Sequence, residues 1–93
     1  KAEKGTPDAL KVAIIDADKL IDNLLKDGGL RGEHMADRLD QLTSDDVRSI
    51  DRLWQAHRYR NELVHEAGPL NEERAKRAIE SYKAFLTELD IIA

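Results

Sequence analysis

A short segment in the middle of the chain, WQAHRYRNELVHE at residues 54–66, carries several chemically reactive side chains on an otherwise apolar helical pattern. It contains His57, Arg60, Asn61 and His65, together with Arg58, and Arg52 lies just upstream. A guanidinium is a fixed cation and an imidazole titrates near neutral pH, so these residue types suit charge stabilisation and proton transfer. This segment is therefore the first candidate for a functional site.

The histidine spacing does not favour a metal site. His57 and His65 are eight residues apart, which is about 12 Å along a helix axis and too far to share one ion. Neither has the histidine partner four residues away that helical zinc sites use. His34 has no histidine or carboxylate constellation that the sequence establishes. The chain has no cysteine, and its serines lack a nucleophile turn, so we expect no metal, no cofactor and no serine or cysteine catalysis.

The first helix has both of its ends marked in the sequence. Thr6 is a plausible N-cap, Pro7 takes the first helical position, and Gly28 with Gly29 provides a stop. Its apolar residues recur at spacings of three and four, which predicts one buried stripe: Leu10, Ala13, Ile14, Ala17, Leu20, Ile21, Leu24 and Leu25. This stripe requires a partner helix.

The second and third helices follow. A weaker helical segment, RGEHMADRLDQL at residues 31–42, has its apolar positions at Met35, Leu39 and Leu42. The third helix is predicted from about Asp45 to Glu66, with Thr43 or Ser44 as its N-cap.

The fourth helix begins after a break at Gly68 and Pro69 and is capped by Asn71. Its apolar stripe is Ala75, Ala78, Ile79, Tyr82, Phe85, Leu86 and Leu89. Three long helices and one short helix joined by short loops predict an all-α fold, an up-down bundle with antiparallel neighbours.

The third helix has an apolar arc wider than one neighbouring helix would cover. At about 100° per residue the arc contains Val47, Ile50, Leu53, Trp54, Ala56, Leu63 and Val64. His57, Arg60 and Asn61 fall inside this arc, and His65 lies at its margin. A buried guanidinium or amide without partners costs several kcal/mol. The fold must therefore supply hydrogen bonds to these groups, or the site stays open for a ligand.

A purely structural interpretation of the same residues is available. Asp18, at the edge of the first helix's stripe, would form a salt bridge with Arg60, and Asp22 is a further candidate partner. His57 would then be a satisfied structural group in support of this pair, and Trp54 an anchor of the core. We favour this structural role for His57.

The string RNELVH, Arg60 to His65, resembles the R-x4-6-H motif of the HEPN superfamily, whose members are compact helical domains. The wider phrase LWQAHRYRNELVHE is similar to a subgroup of uncharacterised bacterial proteins. The resemblance implies metal-independent RNA cleavage, with Arg60 on the scissile phosphate and His65 as general base or acid. Asn61 would orient His65 or the phosphate. The resemblance also implies an RNA substrate and, as in toxin–antitoxin systems, an antitoxin or nucleotidyltransferase partner. The alternative is a non-catalytic interaction module in which Arg60, Asn61 and His65 form a structural network.

Helix geometry adds an expectation about oligomeric state. Arg60 and His65 are about 140° apart around an ideal helix and about 7.5 Å apart along it, so one straight helix points them to different sides. A homodimer that packs third helix on third helix would bring both pairs to a shared cleft. Ala56, Tyr59 and Leu63 are expected to be exposed and to form that interface.

Size and charge set the remaining expectations. The chain has 93 residues, a length that suits one domain over residues 1–93. Its net charge of −4 argues against a surface that as a whole attracts nucleic acid or anionic lipid. No apolar run approaches a membrane span, so we expect no membrane contact within this segment and a cytoplasmic location. The chain begins at Lys1 rather than Met, so an excerpt of a longer chain with an upstream membrane anchor stays open.

Overall fold

A computed structural model describes residues 7–65 and 70–92 of the chain. These residues form four helices and no strand: α1 (Pro7–Asp27), α2 (Met35–Leu39), α3 (Ile50–His65) and α4 (Glu72–Ile92). The predicted all-α bundle of three long helices and one short helix is confirmed for this part of the chain. The expectations about Thr6, Glu66, Gly68 and Pro69 lie outside the described residues.

Two of the predicted helix boundaries are formed by the expected residues. Gly29 has a φ of +95°, in the left-handed region that glycine adopts without the penalty of a Cβ. The amide of Leu30 donates back to the carbonyl of Leu25 at 3.1 Å and closes the end of α1. At the start of α4, the side-chain oxygen of Asn71 accepts from the amide of Arg74 at 2.9 Å. This is the N-cap bond that the sequence predicts.

The core lies where α1, α3 and α4 pack together. α3 and α4 run antiparallel, because Glu62 of α3 pairs with Arg74 at the start of α4 while Ser49 contacts Glu88 near the other end. Burial of a large apolar side chain contributes about 1.5–3 kcal/mol. The largest fully buried side chains come from all four helices: Ile14, Ile21, Leu39, Leu53, Tyr82 and Phe85. The stripe predicted for α4 faces this core, with Ile79, Leu86 and Leu89 at its edge.

Some residues predicted to lie in the core are exposed instead. Leu20 and Leu24 of α1 are 50% and 37% exposed, and Val64 of α3 is 46% exposed. Ala13 is exposed as well. The apolar arcs of α1 and α3 are wider than the surfaces that their neighbouring helices cover, so the edges of these arcs face water. Trp54, in contrast, is half-buried and packs against the core.

α3 begins at Ile50, about a turn later than predicted. The residues before it form a tight turn, in which the amides of Asp46 and Val47 donate to the carbonyl of Thr43. The cap of α3 is also different from the predicted Thr43 or Ser44. The carboxylate of Glu88, from α4, accepts from the backbone amides of Arg48 and Ser49. A cap supplied by a residue so distant in sequence leaves no local sequence signal.

This cap predicts a pH-dependent contribution to stability. The hydrogen bond from the amide of Arg48, followed by those from Ser49, holds the pKa of Glu88 below its ordinary value. A carboxyl group with a lowered folded-state pKa stabilises the fold above its ordinary pKa, and this contribution is lost as the pH falls through the folded value. Glu88→Gln is therefore expected to lower the melting temperature by a few degrees at pH 7, and this difference should shrink below about pH 4.

Thermal unfolding of both proteins between pH 3 and pH 8 measures this difference. Glu80→Gln, on an exposed position of the same helix, is the matched control and is expected to change little at any pH. A Glu88→Gln deficit that is the same at pH 3 and pH 7 would contradict the capping role.

No helix within the described residues has an apolar stretch long enough to cross a membrane.

Candidate functional site

A cleft of about 700 Å³ opens between α1, α3 and the segment that leads into α2. All five residues singled out from the sequence line it: Asp18, His57, Arg60, Asn61 and His65. Arg60 and His65 therefore both line one cleft of a single chain, although they lie about 140° apart around an ideal helix. The cleft spans the whole arc of α3 from one to the other, with Asn61 in between.

Asp18 lies at the centre of a buried polar network. It is 3% exposed and accepts a hydrogen bond from the hydroxyl of Tyr82 at 2.8 Å. Its second partner is Nδ1 of His57 at 3.1 Å, which donates because an ionised carboxylate only accepts. The guanidinium of Arg60 completes the set, with Nε 3.6 Å from Oδ2. The predicted pair of Asp18 and Arg60 is thus present, and His57 has the structural partner that we expected.

Tyr82 supplies a fixed donor to this network. Burial raises the pKa of Tyr82 well above its ordinary value, and the neighbouring charge of Asp18 raises it further. The hydroxyl therefore stays protonated and keeps donating to Asp18. The sequence places Tyr82 only in the core stripe of α4. A signal was available, because a tyrosine on a buried stripe requires a partner for its hydroxyl group.

Arg60 is held from two directions while part of it remains accessible. Its Nη1 donates to the side-chain oxygen of Asn61 at 2.8 Å, and its Nε faces Asp18 as described above. The Arg60 side chain is still 31% exposed. Asn61 is half-buried and His65 is exposed at the end of α3. A cation fixed in this way has little conformational freedom left to lose when it binds an anion.

Asp22 has a different role from the one predicted. It forms ion pairs with Arg38 at 3.4 Å and with Lys26 at 3.8 Å, whereas the carboxylate that pairs with His57 and Arg60 is that of Asp18. Arg38 is 4% exposed. Its Nη1 donates to the carbonyls of Gly32 and His34, at 3.2 and 3.1 Å. A buried arginine thus fixes the backbone of the segment that forms one wall of the cleft.

This segment is restrained by further contacts. Gly32 has a φ of +148°, and a Cβ at this position would lie 2.5 Å from Cβ of Asp37, so only glycine fits. The carboxylate of Asp37 accepts from the amides of Glu33 and His34, at 3.2 and 3.1 Å. The result is a rigid turn that places His34 in the lining of the cleft. Sequence reasoning missed His34, because the contacts that place it there depend on the tertiary fold.

The charged side chains that line the cleft determine which ligands and reactions it suits. Among the described lining residues there are two cations, Lys19 and Arg60, three histidines and four carboxylates, namely Asp18, Asp22, Glu33 and Asp37. Asp18 and Asp22 are engaged by the ion pairs described above. In the part of the chain that the structure describes, no group of three or more histidines and carboxylates is arranged to hold a metal ion. The arrangement offers one fixed cation and several groups able to transfer protons.

The surface predicted for a homodimer is not available. Ala56, Tyr59 and Leu63 are only 2%, 5% and 8% exposed within one chain, so the expectation that they are exposed is wrong. The hydroxyl of Tyr59 contacts the backbone of Asn71 at the start of α4. All three residues belong to the buried core, because neighbouring helices share the apolar arc of α3. The homodimer itself stays a prediction, which light scattering at micromolar concentration tests.

Comparisons of the chain with models of known families, with curated proteins and with solved structures find no match. The resemblance to HEPN domains therefore stays a prediction.

Proposed function

We propose that this domain is a HEPN-like, metal-independent endoribonuclease that cleaves RNA in the cleft between α1 and α3. One observation carries the proposal: Arg60, Asn61 and His65 all line the same open cleft. The motif residues are therefore accessible to a ligand in a single chain. A sealed network with no open side would have favoured a structural role instead.

Each of these side chains has a role in the proposed reaction. When the ribose 2′-oxygen attacks the neighbouring phosphate, negative charge accumulates on the phosphate oxygens, and the guanidinium of Arg60 stabilises it. His65 transfers a proton to or from one of the reacting oxygens. Asn61 orients Arg60, since its side-chain oxygen accepts from Nη1. Asp18 holds Arg60 from the other side and is a positioning residue.

RNA cleavage in the presence of EDTA tests the proposal. The expected products carry 2′,3′-cyclic phosphate and 5′-hydroxyl ends. Arg60→Ala is expected to lower the cleavage rate by about 10²–10³-fold, since it removes the group that stabilises the developing charge. His65→Ala is expected to lower it by about 10²–10⁴-fold, the usual contribution of a proton-transfer group. Product analysis and single-turnover rates on a fluorescent oligoribonucleotide measure both effects.

Arg52→Ala is the matched control, because Arg52 is an exposed arginine on the same helix and lies outside the cleft. It is expected to cleave at the wild-type rate. Circular dichroism and melting temperature check that the variants fold. Wild-type protein that cleaves no RNA, or full activity in both the Arg60 and the His65 variant, would overturn the proposal.

A non-catalytic interaction module is the second candidate. It is favoured by the charge of the cleft, whose four carboxylates outnumber its two cations among the described residues, and by the engagement of Arg60 with Asp18 and Asn61. In that case Arg60→Ala would lower the free energy of unfolding by about 1–3 kcal/mol, and the protein would have no nuclease activity to lose. Denaturant unfolding of the same variants separates the two candidates.

A further inference from the structure

We propose that His34 is the second proton-transfer group of the cleft, so that a single chain supplies both the general acid and the general base. This inference rests on the proposed function and names a residue that the motif does not contain. His34 lines the cleft together with His65, but it belongs to the segment before α2 and not to α3. The two imidazoles therefore come from different walls of the cleft.

The chemistry of RNA cleavage requires two such groups. A bond forms between the 2′-oxygen and phosphorus while the bond between phosphorus and the 5′-oxygen breaks. The proton of the 2′-hydroxyl passes to the base, and the acid gives a proton to the departing 5′-oxygen. These two oxygens lie roughly in line on opposite sides of the phosphorus, so acid and base must approach from different directions. His65 transfers a proton at one of these two oxygens. A second proton-transfer group on another wall of the cleft is needed for the other oxygen.

Hydrogen bonds with two side chains restrain the backbone of the segment that carries His34. The buried Arg38 donates to the backbone carbonyls of His34 and Gly32, and the carboxylate of Asp37 accepts from the amide of His34. The His34 side chain remains exposed while its backbone is fixed. A reactive side chain carried on a backbone restrained in this way is characteristic of a preorganised site.

His57, the remaining imidazole of the cleft, is less suitable for this role. It is only 7% exposed, and its Nδ1 is engaged by the buried carboxylate of Asp18. It also lies on α3, the helix that carries Arg60 and His65, and so does not supply an approach from another wall. Among the three described histidines, His34 is the one that is both accessible and located across the cleft.

A change of leaving group tests the role of His34. His34→Ala and His65→Ala are each expected to lower the cleavage rate by about 10²–10⁴-fold on ordinary RNA. In an oligonucleotide whose 5′-bridging oxygen is replaced by sulfur, the leaving thiolate does not require protonation. On this substrate the variant that lacks the acid is expected to regain nearly the wild-type rate, and the variant that lacks the base stays slow. A merely structural His34 would leave its variant slow on both substrates with both limbs of the pH–rate profile retained, whereas loss of the general acid or the general base removes one limb.

Mixing the two variants tests whether the pair acts within one chain. An equimolar mixture of His34→Ala and His65→Ala chains is expected to remain as slow as either variant alone. Recovery of a substantial fraction of the wild-type rate would overturn the single-chain assignment, because it requires a site shared between copies. Arg31→Ala, at an exposed position of the same segment, is the control and should cleave like wild type.

The outcomes distinguish this inference from the proposed function. If His34→Ala keeps the wild-type rate while Arg60→Ala and His65→Ala lose theirs, His34 has no part in the reaction and the ribonuclease proposal stands. If the wild-type protein cleaves no RNA, both proposals fail together.

Discussion

Asp18→Ala is expected to lower the free energy of unfolding by about 3–5 kcal/mol, the usual cost of breaking a buried ion pair from one side. The carboxylate is nearly inaccessible to water and has three partners in His57, Arg60 and Tyr82. Its removal leaves a tyrosine hydroxyl and an imidazole buried without an acceptor and releases the guanidinium into the cleft. The free energy of unfolding of a native protein is only about 5–15 kcal/mol, so this single substitution removes a large fraction of it.

Urea unfolding of wild type and variant measures this loss, with the m-value expected to stay unchanged if both states keep their compactness. Asp16→Ala, an exposed carboxylate two residues earlier on α1, is the control and should change stability by no more than about 0.5 kcal/mol. Tyr82→Phe removes one hydrogen bond from the same carboxylate and should cost about 1–2 kcal/mol. A loss below about 1 kcal/mol for Asp18→Ala would mean that the network contributes little to the stability of the fold.

The helices of this protein could be predicted where their signals are local. α1 ends at the glycine pair and α4 begins after Asn71, because capping depends on residues adjacent to the helix. α3 begins later than predicted, because its cap is Glu88 from another helix. The same limit explains the burial errors at Leu20 and Val64. The width of an apolar arc can be read from the sequence, but which part of it a neighbour covers depends on how the helices pack.

Only part of the candidate site could be predicted, because some of its residues are placed by tertiary contacts that leave no local sequence signal. The pair of Arg60 and Asp18 could be predicted, because a guanidinium in a mostly apolar arc requires a carboxylate partner. Asp18 was the candidate because it lies at the edge of the apolar stripe of the first helix. His34 and Arg38 had no such signal, because they lie on a short segment whose position depends on tertiary contacts. The composite site of two chains was inferred from an ideal straight helix. In the folded chain, one wide cleft is lined by both Arg60 and His65.

Arg38→Met is expected to lower the free energy of unfolding by about 2–4 kcal/mol and to loosen one wall of the cleft. Methionine keeps much of the apolar stem but removes the guanidinium, so the carbonyls of Gly32 and His34 lose their donor and Asp22 loses its nearest cation. Asp22 is partly exposed to water, which places the cost below that of Asp18→Ala. The loss should be concentrated in the segment before α2, since the contacts among α1, α3 and α4 do not involve Arg38.

Hydrogen exchange provides the local measurement. The amides of Glu33 and His34, which donate to Asp37, should exchange faster in Arg38→Met. Amides in the middle of α4 should exchange faster only in proportion to the global loss of stability. Arg31→Met is the control, since this exposed arginine belongs to the same segment. Under the proposed function, RNA cleavage is also expected to fall in Arg38→Met, because His34 would no longer be held at the cleft. Unchanged exchange at Glu33 and His34 would show that Arg38 stabilises the fold without positioning this wall, and that His34 is not preorganised by Arg38.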